Sequence, residues 1–263
     1  MNTPIPPNSR SPRSNRCLGT RTGVALTLLL AAGLGVPHAV HAFTISPIVN
    51  RIEIEESNRT TYELRNNGNA PVAIEITARS RSLSTEGEEI RDETDALAVF
   101  PSQIVLNTGE RQTVNVEYTG DPSHRHEEAF RVIATEVPVD FEEDETPAPQ
   151  GSLDFTLTYE TALYVTSDPD GAADVRVADV QLSEDELVVS VTNDGVRHAV
   201  LSEAEIELFD TAGDSVAVFE GDVLGRLNGL NLLAGHTVTL SLPGTDELQN
   251  DIDPDATEIR YSD

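Results

Sequence analysis

The sequence predicts an all-β protein: two immunoglobulin-like β-sandwich domains in tandem. Three observations lead there. Apolar and polar residues alternate with period two in one short segment after another between Phe43 and Tyr261, the pattern that sends alternate side chains to opposite faces of a strand. Clusters of Gly, Pro, Asn and Asp punctuate these segments, and no stretch carries a convincing helical repeat. The group Asp168-Pro169-Asp170-Gly171 separates two such series, and the number of strands in the first fits an immunoglobulin-like sheet pair. The expected division is residues 1–42 as a signal peptide, 43–168 as the first domain and 169–263 as the second.

The leader comes first. Arg10, Arg13, Arg16 and Arg21 form a basic region with no acidic residue, followed by an apolar segment from Gly23 to Val36. That segment is too short for a comfortable membrane span. Val40-His41-Ala42 then offers small residues for cleavage after Ala42. The expectation is an exported, periplasmic protein whose mature chain does not insert in a membrane. A single N-terminal membrane anchor is the other reading of the same leader.

The expected strands follow in order: Arg51–Glu55, Thr61–Arg65 up to the turn Asn66-Asn67-Gly68-Asn69, then Val72–Ile76, Leu97–Phe100 and Ile104–Leu106. Thr113–Tyr118 and Ala129–Ala134 come next. Pro138 to Gly151 is acidic, holds Pro147 and Pro149 and has little to bury, so it reads as a mobile loop or linker. The second series runs through Val175–Leu182, Glu186–Thr192, Glu205–Phe209, Val216–Phe219, Leu230–Ala234, Val238–Pro243 and Thr257–Tyr261.

The most informative strand follows the acidic linker. In Leu153-Asp154-Phe155-Thr156-Leu157-Thr158-Tyr159 the alternation is unbroken, so Leu153, Phe155, Leu157 and Tyr159 share one face. Ala162-Leu163-Tyr164-Val165 is then almost wholly apolar, which reads as a strand half exposed at its start and buried at its end. An edge strand bearing such an apolar comb invites pairing with another chain. The other reading packs the comb into the protein's own sandwich.

Composition excludes several functions. Four of the 17 arginines lie in the leader, and there is no lysine; the remaining 13 arginines face 46 acidic residues, a formal charge of −33 after cleavage. Such a surface repels nucleic acid and anionic lipid. The one cysteine, Cys17, belongs to the leader, so the mature chain forms no disulfide. Asp168–Gly171 and Phe141–Glu145 are acidic loops without the spacing of a helix-loop-helix calcium site. His124 and His126 form a pair in a loop, but the sequence points to no further metal ligands. No nucleophile elbow, phosphate loop or dinucleotide fingerprint occurs. The expectation is a binding protein with no cofactor, no metal and no enzymatic activity.

The motifs taken together resemble a known family. Ser46-Pro47 with Asn50–Ile54, Leu64–Val72, Val99-Phe100-Pro101, Leu106–Val114, Glu127 with Phe130–Val132, Glu136–Pro138 and the alternating strand are similar, in order and spacing, to the periplasmic pilus-assembly chaperones. Val191–His198 and Leu232–Gly235 resemble that family's second domain. The resemblance implies a chaperone that lends an edge strand to pilus or fimbrial subunits and passes them to an outer-membrane usher. Leu153, Phe155 and Leu157 would then enter the subunit's groove, with Tyr159 at its end. It also implies a basic anchor for the subunit's terminal carboxylate. Arg51 matches one member of that anchor, whereas Ala162 stands where the family has lysine. Glu127 matches a residue of the domain–domain contact, while Thr166 falls where its arginine partner is expected. A structural or adhesive β-sandwich of the cell surface is the alternative function.

Overall fold

A computed structural model describes residues 43–139, 156–182, 186–244 and 252–262. The leader, most of the acidic linker, Leu153 and Phe155 lie outside the described residues.

The first sandwich is built from β1 (Phe43–Ser46), β2 (Val49–Glu53), β3 (Arg59–Asn66), β4 (Val72–Leu83), β5 (Glu89–Glu93), β6 (Leu97–Phe100), β7 (Gln103–Leu106), β8 (Arg111–Tyr118), β9 (Glu128–Val137) and β10 (Thr158–Thr166). One sheet has the order β1-β3-β8-β6; the other runs β2-β10-β9-β4-β5, with β7 also on β4. The chain changes sheet between β1 and β2, so that β1 pairs antiparallel with β3 and β2 pairs parallel with β10. Tyr62, Leu64, Val114 and Val116 of the first sheet meet Ile74, Ile76, Val132, Leu163 and Val165 of the second. Each such side chain, fully withdrawn from water, contributes about 1.5–3 kcal/mol before entropy is counted.

The second sandwich follows: β11 (Val175–Leu182), β12 (Glu186–Asn193), β13 (Ala199–Val200), β14 (Ser202–Phe209), β15 (Ser215–Glu220), a 3₁₀ turn at Gly221–Leu224, β16 (Asn231–Leu232), β17 (Thr237–Pro243) and β18 (Glu258–Ser262). Its sheets are β11-β12-β17 and β15-β14-β18, with a β13-β16 pair beside them. Val189, Val191, Ile206, Leu208, Val238 and Leu240 form a separate core. The all-β, two-sandwich architecture is as the alternation predicts.

Two asparagines show how the turn signals act. Asn66 is buried; its Nδ2 donates to the carbonyls of Ala70 (2.8 Å) and Leu106 (2.9 Å), and its Oδ1 accepts from the Gly68 N–H. Asn193 repeats this in the second sandwich, donating to Arg197 O (2.7 Å) and Leu232 O (3.1 Å) and accepting from Gly195 N–H. A buried amide that satisfies a loop's backbone groups fixes both the turn and the strand beside it.

Three features depart from expectation. β1 is a strand of its own. β4 runs on through Leu83 and turns back into β5, a hairpin the alternation does not announce. And β10 is an edge strand only over its first half, because β2 covers it from Ala162 to Thr166. The candidate acidic loop at Asp168–Gly171 is a turn closed by Gly171 N–H to Asp168 O (3.3 Å); Phe141–Glu145 lies outside the described residues.

Candidate functional site

β10 is one strand with two environments. On one side β9 accompanies its whole length, from Thr158↔Thr135 to Val165↔Glu128. The Glu136 N–H donates to Leu157 O (2.8 Å), which turns the backbone polar groups of Leu157 towards β9. Ala162 N–H donates the other way, to Ile48 O (2.9 Å). Backbone groups alternate sides along a strand, so Thr158 and Glu160 direct theirs away from β9, as Ala162 does. There β2 has not yet begun, and no strand among the described residues pairs with that side. An unpaired row of donors and acceptors is a template for another strand.

The side chains follow the same gradient. Leu163 and Val165 are 0 % exposed and belong to the first core. Leu157 and Tyr159, two turns of the pleat earlier, are only part-buried and pack on the rim of that core. Tyr159 meets Phe43 edge to face at 5.0 Å. Two members of the apolar comb therefore sit on one face at the open end of the sandwich; Leu153 and Phe155 lie outside the described residues.

The opposite face of this sheet is basic. Strand register aligns Arg51, Tyr164, Ala129, Arg81 and Arg91 in one row, and Val49, Ala162, Arg131, Arg79 and Glu93 in the next. Arg51 is exposed and makes no ion pair among the described residues, and Val49 beside it is 63 % exposed. Ala162 lies directly across from Arg131. Arg81, Arg91 and Arg131 all close on Glu89, at 2.6, 2.6 and 2.5 Å, and Arg91 also reaches Glu160 at 2.6 Å. Burial pushes the Glu89 carboxyl up, but hydrogen bonds from Arg131 and Arg91 and the charge of Arg81 outweigh it and hold the group at about 2.

This basic face turns towards the second sandwich. Arg81 Nη1 donates to Tyr164 Oη (3.2 Å), which also accepts from Asn231 Nδ2 (2.5 Å). The Tyr164 ring stacks on His198 at 3.9 Å. Glu127, its side chain 1 % exposed, accepts from the His198 backbone N–H (3.2 Å) and pairs with His198 Nδ1. Its other oxygen has no hydrogen bond, with Arg197 Nε 4.0 Å away. Glu127 thus reaches the second sandwich, through His198 and not through Thr166, whose hydroxyl donates to Asp168 O (3.0 Å). The β4–β5 hairpin makes a second bridge: Thr239 N–H donates to Thr85 O (2.7 Å) and Arg226 Nη2 to Glu86 O (2.7 Å). Reading the sequence missed the Glu89 clamp and His198, since both depend on pairings far apart in the chain.

His124 and His126 lie in the cleft between the sandwiches, with Arg81, Leu233 and His236. Both His124 ring nitrogens approach carbonyls, Nδ1 that of Asp121 (2.8 Å) and Nε2 that of Val165 (3.1 Å). Among the described residues, no group of three or more His, Cys, Asp or Glu is arranged to hold a metal, and no helix is long and apolar enough to cross a membrane.

Comparison with known proteins agrees with this geometry. Residues 44–171 match the pili and flagellar-assembly chaperone family, PapD N-terminal domain. A search of curated proteins finds no match. Among solved structures, the class 5 fimbriae chaperone CfaA is 12 % identical with a TM-score of 0.55, over 84 % of this chain and 98 % of its own. A chaperone–tip adhesin complex of CFA/I fimbriae biogenesis gives 13 % and 0.54, over 83 % and 97 %. The CsuC–CsuE chaperone–tip adhesion subunit pre-assembly complex from the archaic chaperone-usher Csu pili of Acinetobacter baumannii gives 16 % and 0.53, over 78 % and 88 %. At such identities these likenesses speak for the fold. With the family match over residues 44–171 and the fold shared with these structures, the first sandwich is similar to the N-terminal domain of the PapD-like pilus-assembly chaperones, and the chain as a whole shares their two-sandwich fold.

Proposed function

We propose that the protein is a periplasmic chaperone that captures pilus or fimbrial subunits by strand donation and delivers them to an outer-membrane usher. The observation that carries the reading is the open half of β10: backbone at Thr158 and Glu160 that no strand among the described residues pairs with, beside a part-buried apolar rim. A subunit with an incomplete sheet offers what this edge lacks, a backbone partner and a groove for alternate apolar side chains. In this reading Leu153, Phe155 and Leu157 enter the groove, Tyr159 closes its end, and Arg51 takes the subunit's terminal carboxylate. The boundary between the chaperone domain and the smaller second domain falls near Asp168–Gly171. The work is binding; no enzymatic step is assigned.

Native mass spectrometry of the protein, co-expressed in a periplasm with the secreted products of neighbouring genes, tests this. The expected result is a one-to-one complex with a small β-rich protein, absent for Leu157→Glu although that variant still folds. The packing of Leu157 and Tyr159 on the first core favours a second reading, a cell-surface sandwich that keeps this strand for itself. In that case the protein stays alone beside expressed neighbours, and Leu157→Glu unfolds the first sandwich.

A further inference from the structure

The β4–β5 hairpin outgrows the sandwich it belongs to. β9 accompanies β4 only as far as Arg81↔Ala129, while β4 and β5 stay paired through Ser82↔Ile90 and Leu83↔Glu89. Beyond Arg81 the two strands have only each other as strand neighbours among the described residues. A lone hairpin is at best marginally stable in water, yet this one is held at both ends. At its root, Arg81, Arg91 and Arg131 close on Glu89 and tie β5 to β9. At its tip, the Ser84 N–H donates to Glu88 O (2.9 Å), while Ser84 O accepts from Gly87 N–H (3.0 Å) and Ser84 Oγ from Glu86 N–H (3.1 Å). Gly87, at φ +81°, takes the left-handed conformation that closes this turn.

The overhang leans on the second sandwich. Leu83 packs against that sandwich's core and against the small cluster of Ala129, Ala162, Tyr164 and Leu233, which draws on both sandwiches. Thr85 O accepts from the Thr239 N–H (2.7 Å), and Glu86 O accepts from Arg226 Nη2 (2.7 Å). A Cβ at Gly87 would stand 3.6 Å from Leu230 and 3.8 Å from Val238, so the backbone of the tip is seated on the rim of the second core. β17 is the last strand of its sheet, β11-β12-β17. Its Thr239 N–H, on the side away from β12, is satisfied by the hairpin. Covering an exposed strand edge with a loop removes a template for unwanted pairing.

Other contacts hold the sandwiches beside the linker. The Glu127 N–H donates to Val196 O (2.8 Å), the Glu127 carboxylate pairs with His198, and Arg197 Nη1 donates to Pro169 O (3.1 Å). Domains joined mainly at a linker swing about it; an attachment at other elements stops the swing. We propose that the β4–β5 hairpin is a strap that caps the edge of β17 and fixes the angle between the two sandwiches. The cleft between them has Ser80 and Arg81 of the strap's root in one wall and Leu233 and His236 in another, so it keeps its width only while the tip is docked. The strap is independent of strand donation and stands or falls without it.

The test uses the whole protein and a variant in which Ser84–Glu88 is replaced by Asn-Gly, a turn that closes a hairpin directly after Leu83 and leaves Glu89 in place. Two quantities are measured by NMR: hydrogen exchange at the β17 amides, and residual dipolar couplings of both sandwiches. In the wild type the Thr239 amide is expected to be protected, and one alignment tensor fits both sandwiches. In the variant Thr239 exchanges at least about tenfold faster while Val238 and Leu240, paired with β12, keep their protection. Each sandwich then fits a tensor of its own, and no common tensor fits both. Equal exchange of Thr239 in wild type and variant, or a common tensor in the variant, overturns the proposal. Should the shortened hairpin fail to fold, Gly87→Val takes its place and is read in the same way, because it forces a branched side chain at φ +81° against Leu230 and Val238. An unprotected Thr239 amide in the wild type overturns the proposal without any variant.

Discussion

The two halves of β10 share a backbone and a neighbour in β9, yet they differ in what lies on their other side. From Ala162 to Thr166 the strand is closed in by β2, and Leu163 and Val165 are buried at 0 % exposure. From Thr158 to Thr161 no strand among the described residues pairs with that side, and the apolar residues Leu157 and Tyr159 cover only the rim of the core. The difference comes from where the chain crosses from β1 to β2. A strand that begins opposite Ala162 seals the lower half and leaves the upper half as an edge. Sealing serves the sandwich's own stability, and the edge is available to a partner.

Substitutions can break this comparison at either half. The largest effect on stability belongs to the sealed half: Leu163→Ala is expected to cost about 2–5 kcal/mol in chemical denaturation, as a core cavity does. A loss under about 1 kcal/mol would mean that the sealed half is not core. Next comes the bridge beneath it. Glu127→Ala leaves the His198 side unpaired in a buried site and is expected to cost about 1–3 kcal/mol, seen as a lower melting temperature and as separate unfolding of the two sandwiches in calorimetry. A single unchanged transition would argue against this bridge. Leu157→Glu, in the open half, is expected to change stability by no more than about 1 kcal/mol while subunit capture is lost.

The last effect is acid-dependent. The Glu89 carboxyl lies at about 2 in the folded protein against an ordinary 4.5, so its clamp stabilises fully above about pH 4.5 and is lost as pH falls towards 2. Melting curves of wild type and Glu89→Gln should therefore differ at pH 5 and converge near pH 2. A difference independent of pH would show that the substitution acts through packing.

The strands that carry alternation were legible in the sequence: Thr61–Arg65, Thr113–Tyr118 and Glu186–Thr192 all fall inside observed strands. The apolar face of β10 was legible for the same reason. The β4–β5 hairpin was not. Its Thr77–Leu83 segment alternates arginine with serine and small residues, and β5 is almost entirely charged, so neither shows apolar contrast. Those arginines face the second sandwich and an internal carboxylate, an arrangement set by strand register and not by local pattern. His198 was hidden likewise, because its partner Glu127 is 71 residues earlier. The missing lysine was visible at Ala162, but the cation opposite it could only be found once β9 was paired with β10.

Hydrogen exchange at the backbone amides of β10 tests strand donation most directly, comparing the free protein with the complex obtained by co-expression. The account predicts that Thr158 and Glu160 exchange rapidly in the free protein and become protected in the complex, while Leu163 and Val165 are protected in both. Unchanged exchange at Thr158 and Glu160 in a stable complex would contradict it, and would mean that the subunit is held on another surface.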